Sequence, residues 1–188
     1  MSTDRPAGVI MHIDGASRGN PGPAAYAVVV KTADGAPLAV FSKPLGQATN
    51  NVAEYEGLLA ALGYAHRHHH LRVRMVSDSE LLVRQIQGSY KVKSADLKLL
   101  HQQARQMIER LESFAIEHVR REHNREADRL VNKALDAAEA GKTPAESLPA
   151  AVVILHAAAT HHRGVLELHH SLPLAEGEEV ELEIRRKN

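Results

Sequence analysis

The sequence predicts an α/β fold in which one five-stranded mixed sheet is flanked by helices and followed by a small β appendage. Three observations lead there. Three apolar runs separated by turn residues come first; from Asn51 the apolar spacing changes to that of a helix; strand-like and helical runs then alternate. The 188 residues suffice for one domain of ordinary size with a full hydrophobic core and a short extra piece.

The elements follow in order. "GVIMHI", "AYAVVV" and "APLAVFS" are separated by "GNPGP" and "ADG", which reads as an antiparallel meander. Asp34-Gly35 is the dipeptide of a tight hairpin turn. Val52, Tyr55, Leu59 and Leu62 are spaced for one face of a helix that ends in "HRHHH". "LRVRMV" alternates as a strand, and "SDSELLVRQIQ" follows as a short helix stopped by Gly88. After the loop "GSYKVKS", a longer helix carries Leu97, Leu100, Ala104, Met107 and Leu111 on one side, and "SFAIEHV" is a further strand. A last helix, beginning near Asn124, is expected to bury Ala127, Leu130, Val131, Ala134 and Ala138. The order is βββαβααβα.

Residues 1–140 therefore form the main domain. The Gly- and Pro-containing stretch "EAGKTPAESLPA" places a linker at 141–150, and 151–188 form the appendage. There "AVVILHA", "GVLELHH" and "EEVELEI" are strand candidates joined by "ATHHRG" and "LAEGE" turns. So small a piece buries too little surface to stand alone. It is expected to pack on the main domain or to pair with a second copy, as a homodimer.

Composition narrows the function. Hydrophobic residues are 44% and charged residues 24%, which excludes a disordered chain. No apolar run approaches the roughly 20 residues of a membrane span, and "MSTDRPAGVI" lacks the pattern of a secretory signal. A cytoplasmic protein without a membrane partner is expected. Lys+Arg and Asp+Glu number 23 each, so bulk charge cannot drive binding to nucleic acid; a local patch or bound cations must do it. With no Trp and 3% aromatics, a single-strand binder built on stacking is disfavoured. The absence of Cys excludes disulfides and thiolate metal sites.

Four acidic residues fall at element boundaries, each with an ordinary explanation. Asp14 ends the first strand, where an Asx-turn would suffice. Asn51 and Glu54 have the spacing of a capping box. Asp78 stands where a helix N-cap belongs, and Asp128 favours the first turns of the last helix. Taken together they point elsewhere. Strand ends and helix starts gather at one edge of an α/β sheet, where ligands bind. Four carboxylates crowded there repel one another unless cations hold them. Oxygen-only ligation suits Mg²⁺ or Mn²⁺, and two such ions about 4 Å apart can activate a water and stabilise the leaving oxygen of a phosphodiester.

The segments "IDGASRGNPGPA", "ATNNVAEYEGLLAAL", "SDSELLVRQIQGSYKVKSADL" and "HNREADRLVNKAL" resemble ribonuclease H of type 1, in the compact prokaryotic form without the basic protrusion. The resemblance covers about residues 8–139. It implies the ribonuclease H-like fold, a catalytic and metal-binding quartet of Asp14, Glu54, Asp78 and Asp128, two Mg²⁺ ions with Mn²⁺ as substitute, and cleavage of the RNA strand of an RNA–DNA hybrid to 5′-phosphate and 3′-hydroxyl ends. By the same resemblance Asp14 bridges both ions, Asp128 holds the ion that activates water, and Glu54 with Asp78 holds the ion at the leaving oxygen.

Gly15, Asn20, Thr49, Asn50, Asn51 and Glu80 are placed by that pattern near the hybrid, where amide and backbone groups read 2′-hydroxyls across the wide minor groove. The chain departs from the family in one respect. The loop histidine that many relatives carry before the last aspartate has no clear counterpart in "HVRREHNREAD", and Arg121 and His123 are the candidates to replace it. Without a protrusion, hybrid affinity falls to Lys91, Lys93 and Arg18, with Arg120, Arg121 and Arg125 as further candidates. Two alternatives share the fold: a nuclease preferring double-stranded RNA or RNA–DNA junctions, and a catalytically weak hybrid-binding protein. The complete acidic quartet argues against the binder, which gains nothing from negative charge beside phosphates. "HRHHH" reads as helix-terminal histidines at the favourable dipole end, without the fixed spacing of a metal cage.

Overall fold

A computed structural model describes residues 8–140, 159–162 and 165–168. The chain divides into two units, Met1–His156 and Ala157–Asn188. In the first, strands β1 (Val9–Ser17), β2 (Gly22–Thr32) and β3 (Pro37–Ala48) precede helix α1 (Asn50–Arg67). Strand β4 (Arg72–Ser77), helices α2 (Glu80–Ile86) and α3 (Ala95–Ile108), strand β5 (Ser113–His118), a short 3₁₀ turn at Arg121–His123 and helix α4 (Arg125–Glu139) complete it. The expected order holds throughout.

The five strands lie in the order β3-β2-β1-β4-β5. β1 and β2, and β2 and β3, pair antiparallel, as a meander must; β1 and β4, and β4 and β5, pair parallel. Parallel neighbours need a crossover, and α1 supplies the first of them between β3 and β4. The hairpin at Asp34-Gly35 closes as its residue types require, with Gly35 at φ +90° and its N–H donating to Thr32 O at 2.9 Å.

Helices cover both faces. Val28 and Val30 of β2 join Met11 and Ile13 of β1 in one core with Tyr55, Leu58, Leu62 and Ala65 of α1. Ala25 and Ala27, one residue out of phase, meet Val131 and Leu135 of α4 on the other face. The buried stripe of α1 runs through Tyr55, Leu58 and Leu62, whereas Val52 and Leu59, expected at its centre, are half-buried flanks. In α4 the anchors are Ala127, Val131 and Leu135; Leu130, Ala134 and Ala138 are only partly covered. Leu135 continues the i, i+4 row from Val131, which the smaller Ala134 had masked in the sequence.

Three boundaries differ from expectation, and each bears on the acidic residues. β1 does not stop at Asp14; it pairs on to Ser17, with Asp14 opposite Ala27, so no Asx-turn forms there. α1 begins at Asn50, and its cap is Thr49, whose hydroxyl accepts from Val52 N at 3.3 Å, in place of Asn51. α2 is capped by Ser79, which accepts from Leu82 N at 3.4 Å, in place of Asp78. The hydroxyl residues take the caps, and Asp14, Glu54 and Asp78 are left without the ordinary duties that local spacing offered them.

In the second unit, Ala159–His162 and Val165–Leu168 form an antiparallel pair. Residues 159–162 therefore extend as a strand where the sequence suggested a turn, because pairing with Val165–Leu168 satisfies their backbone groups. The linker at 141–150 and the strand candidates at 151–157 and 178–184 lie outside the described residues.

Candidate active site

Asp14 lies near the C-terminal end of β1, and Asp78 immediately follows β4, the parallel neighbour of β1. Two adjacent parallel strands thus deliver two carboxylates to one edge of the sheet. Glu54 comes from the first turns of α1, and Gly15 brings it close. A Cβ at position 15 would stand 2.2 Å from Glu54 N and 2.3 Å from the carbonyl carbon of Ala53, so only glycine lets the helix backbone press onto the strand. Asp14, Glu54 and Asp78 consequently offer carboxylate oxygens that all lie within 4.8 Å of one another.

Asp128, in the first turn of α4, approaches from the other face of the sheet but lies outside the group of three whose oxygens come within 4.8 Å of one another. Its Oδ1 accepts from Arg121 Nε at 2.8 Å and from the Nη2 of the same guanidinium. Its charge is close enough to act on Asp14.

The cluster is electrostatically costly. Burial, together with repulsion from Asp78 and Asp128, pushes the Asp14 carboxyl from an ordinary 3.8 up to about 7; the Arg121 guanidinium and the Gly15 N–H oppose the shift. Glu54 is pushed well above the usual carboxylate range, first by burial and then by Asp14 and Asp78. Its Oε2 is buried with no hydrogen-bond partner. A buried, unpartnered oxygen on a carboxylate grouped with two others is expensive unless a cation meets it. The donors are all hard oxygens, and the set fits a divalent cation of the Mg²⁺ or Mn²⁺ kind.

The remaining expected residues fall in distinct settings. Gly15 is buried and serves the close approach of α1 to β1. Asn20, in the β1–β2 connection, accepts from Asn50 N at 3.2 Å, so with Thr49 it finishes the N-terminus of α1. Asn50 is exposed and Asn51 half-buried on the first turn of that helix. Glu80 opens α2 and pairs with Arg84 at 2.7 Å, four residues on. His123 is exposed, with Glu122 at 3.9 Å, whereas Arg121 grips Asp128 directly.

Arg18 is exposed and pairs with Asp136 and Glu139 near the end of α4. Lys91 and Lys93 are exposed, and Lys91 lines an open hollow beside α2 with Tyr90, Lys98 and Arg105.

One residue of the site escaped the sequence. Asn124 is buried, and its Nδ2 donates to Ile13 O at 2.8 Å and to Asp78 Oδ1 at 3.0 Å. It occupies the N-cap position of α4, its carbonyl accepting from Asp128 N at 3.0 Å, but its side chain makes no cap bond.

Comparison with known proteins agrees with this architecture. The family described as Reverse transcriptase-like matches residues 12–134. The chain is 44% identical over 146 residues to the bifunctional protein Rv2228c of Mycobacterium tuberculosis, covering 77% of this chain and 40% of that protein. The chain thus spans well under half the length of that relative. It superposes on the N-terminal RNase H domain of the same protein with a TM-score of 0.70 at 43% identity, covering 73% of this chain and 99% of that one. Ribonuclease HI of Halobacterium salinarum is 40% identical over 133 residues, 71% of this chain and 67% of that protein; the crystal structure of the RNase H1 of that archaeon gives a TM-score of 0.66 over 68% and 97%. LC11-RNase H1, solved in complex with an RNA/DNA hybrid, gives 0.67 at 41% identity over 70% and 99%.

Proposed function

The chain belongs to the type 1 ribonuclease H family, and from that premise we propose that it is an endoribonuclease that hydrolyses the RNA strand of RNA–DNA hybrids, leaving 5′-phosphate and 3′-hydroxyl ends. The observation that carries the reading is the convergence of Asp14, Glu54 and Asp78 within 4.8 Å at the edge of the sheet, with Glu54 Oε2 buried and unpartnered. That charge is unfavourable to a protein that merely grips phosphates, and it is what a divalent-ion nuclease needs.

Asp14, Glu54, Asp78 and Asp128 would hold two Mg²⁺ ions, with Mn²⁺ as substitute, and such a pair supplies an activated water and charge stabilisation at the leaving oxygen. Within the chain, Gly15 holds α1 against β1, and Arg121 steadies Asp128. Arg121, which grips Asp128, is the better placed substitute for the loop histidine of relatives; the His123 ring is exposed, with Glu122 at 3.9 Å. Asn20, Thr49, Asn50 and Asn51 present an amide-rich helix start to the hybrid, suited to a phosphate and to the 2′-hydroxyls that tell RNA from DNA. Glu80 borders the same approach at the start of α2. Lys91 and Lys93 supply the general attraction that the balanced net charge withholds. We place the activity in the cytoplasm, on primers and R-loops, and we read the C-terminal segment as either packing on the catalytic domain or pairing two copies.

The test is an end-labelled hybrid, duplex RNA and duplex DNA, each incubated with Mg²⁺, Mn²⁺ or EDTA, using the wild type and Asp14→Asn. Cutting confined to the RNA strand of the hybrid, dependent on metal and abolished by the substitution, is expected. Cleavage of the DNA strand, or undiminished cutting in EDTA, refutes the proposal; preferential cutting of duplex RNA reassigns the substrate.

A further inference from the structure

Asn124 is 1% exposed, and it sits where three of the four acidic residues are tied to the scaffold. Asn is among the best N-cap residues, yet this side chain turns away from the helix it precedes. Both of its donor hydrogens point inward. One goes to the carbonyl of Ile13, the residue before Asp14, at 2.8 Å; the other goes to Oδ1 of Asp78 at 3.0 Å. The reverse orientation of the amide would set its oxygen against a carbonyl and a carboxylate, so the donor assignment follows from the partners. Its backbone carbonyl accepts from Asp128 N at 3.0 Å, fixing the first turn of α4 to the same residue.

We propose that Asn124 is the positioning residue of the acidic site: one buried amide that reaches from the start of α4 to β1 and to the end of β4, and so sets the spacing of Asp14 and Asp78. Without it, Asp78 would be free to turn from its neighbours, since like charges at this range favour separation. The inference rests on the hydrolase reading for its consequence in catalysis, but its physical content is the affinity of the carboxylates for a divalent cation. Groups that orient ligands in this way typically govern metal affinity or activity by roughly 10- to 100-fold.

The test uses the full chain and two variants, Asn124→Ala and Asn124→Leu; the second keeps the branched shape of the side chain and removes both donors. Binding of Mn²⁺ and of Mg²⁺ is measured by calorimetry without nucleic acid, alongside the melting temperature, kcat, KM for the hybrid and the Mg²⁺ concentration at half-maximal rate. Both variants are expected to bind the ions roughly 10- to 100-fold more weakly and to need correspondingly more Mg²⁺. kcat should fall at limiting Mg²⁺ while KM for the hybrid stays near that of the wild type. Wild-type ion affinity in Asn124→Leu, whatever its melting temperature, overturns the proposal, because filling the space would then be all that Asn124 does. If the wild type binds the ions without cutting the hybrid, the hydrolase reading fails, and the calorimetric comparison still decides the role of Asn124.

Discussion

Replacing Asp14 by Asn should make the metal-free protein more stable while destroying its activity. In the folded chain, burial and the carboxylates of Asp78 and Asp128 move the Asp14 carboxyl from an ordinary 3.8 up to about 7. Each unit of such a shift corresponds to about 1.4 kcal/mol, so ionised Asp14 at pH 8 costs the metal-free fold at most about 4 kcal/mol. Asn keeps the shape and removes the charge. Part of the gain is lost where the wild type shares a proton with Glu54, so a rise in Tm of roughly 5–10 °C is the expected size for a chain of this length. The pH dependence is the sharper check. The gain should be full above pH 7, shrink as pH falls towards 4, and vanish only below the ordinary 3.8, where Asp14 is protonated in the folded and unfolded chain alike. Differential scanning calorimetry in EDTA from pH 4 to pH 8 measures this directly. With saturating Mg²⁺ the order should reverse, since binding stabilises the wild type by mass action. An Asn variant less stable than the wild type at pH 8 in EDTA would refute the electrostatic account of the site.

The wild type itself carries the corresponding signature. Asp14 and Glu54 both hold their protons to higher pH when folded, so metal-free stability should fall as pH rises from about 4 through about 7, and a flat profile in EDTA would count against it. Gly15→Ala puts a methyl carbon 2.2 Å from Glu54 N; it should cost at least ~3 kcal/mol and most of the activity, whereas a wild-type melting temperature would show that α1 can retreat. Thr49→Ala removes the cap of α1 and should cost about 1 kcal/mol in thermal unfolding, a loss that Asn51→Ala should not reproduce. Affinity for the hybrid should fall steeply between low and moderate salt, and a flat response in filter binding would show that contacts to phosphate contribute little.

The fold was legible because its signals are local. Turn residues at "GNPGP" and "ADG" and the change of period at Asn51 each specify an element without reference to the others. Asp14, Glu54, Asp78 and Asp128 were legible as candidates for the same reason, by their places relative to those elements. What the spacing could not decide was which polar residue does which job. Asn51 and Glu54 have capping-box spacing, but the helix starts one residue earlier and Thr49 wins the cap. Asp78 and Ser79 are adjacent and both are good caps; Ser79 takes the bond, and Asp78 is claimed by Asn124. The partners of Arg18 were not legible because Asp136 and Glu139 lie more than a hundred residues away in sequence.

These outcomes share a physical cause. A cap is satisfied by any short side chain that reaches the N2 or N3 amide, and a hydroxyl does so at little electrostatic cost. A carboxylate in the same position also feels every other charge at the edge of the sheet. Where two residues compete for one cap, the assignment that leaves a carboxylate at the sheet edge is favoured only when something else stabilises that carboxylate. Asn124 does this for Asp78, and Arg121 for Asp128. Glu54 has no such helper for Oε2. It is therefore the group whose free energy should change most when a divalent cation binds, and the one whose protonation should report the event. Infrared difference spectra of the carboxylate stretch on adding Mg²⁺ at pH 7 should show the loss of a protonated carboxyl band that persists in Asp14→Asn and is reduced in Glu54→Gln. If the band is already absent in EDTA, Glu54 is ionised without metal, and the buried cluster is better compensated than its geometry implies.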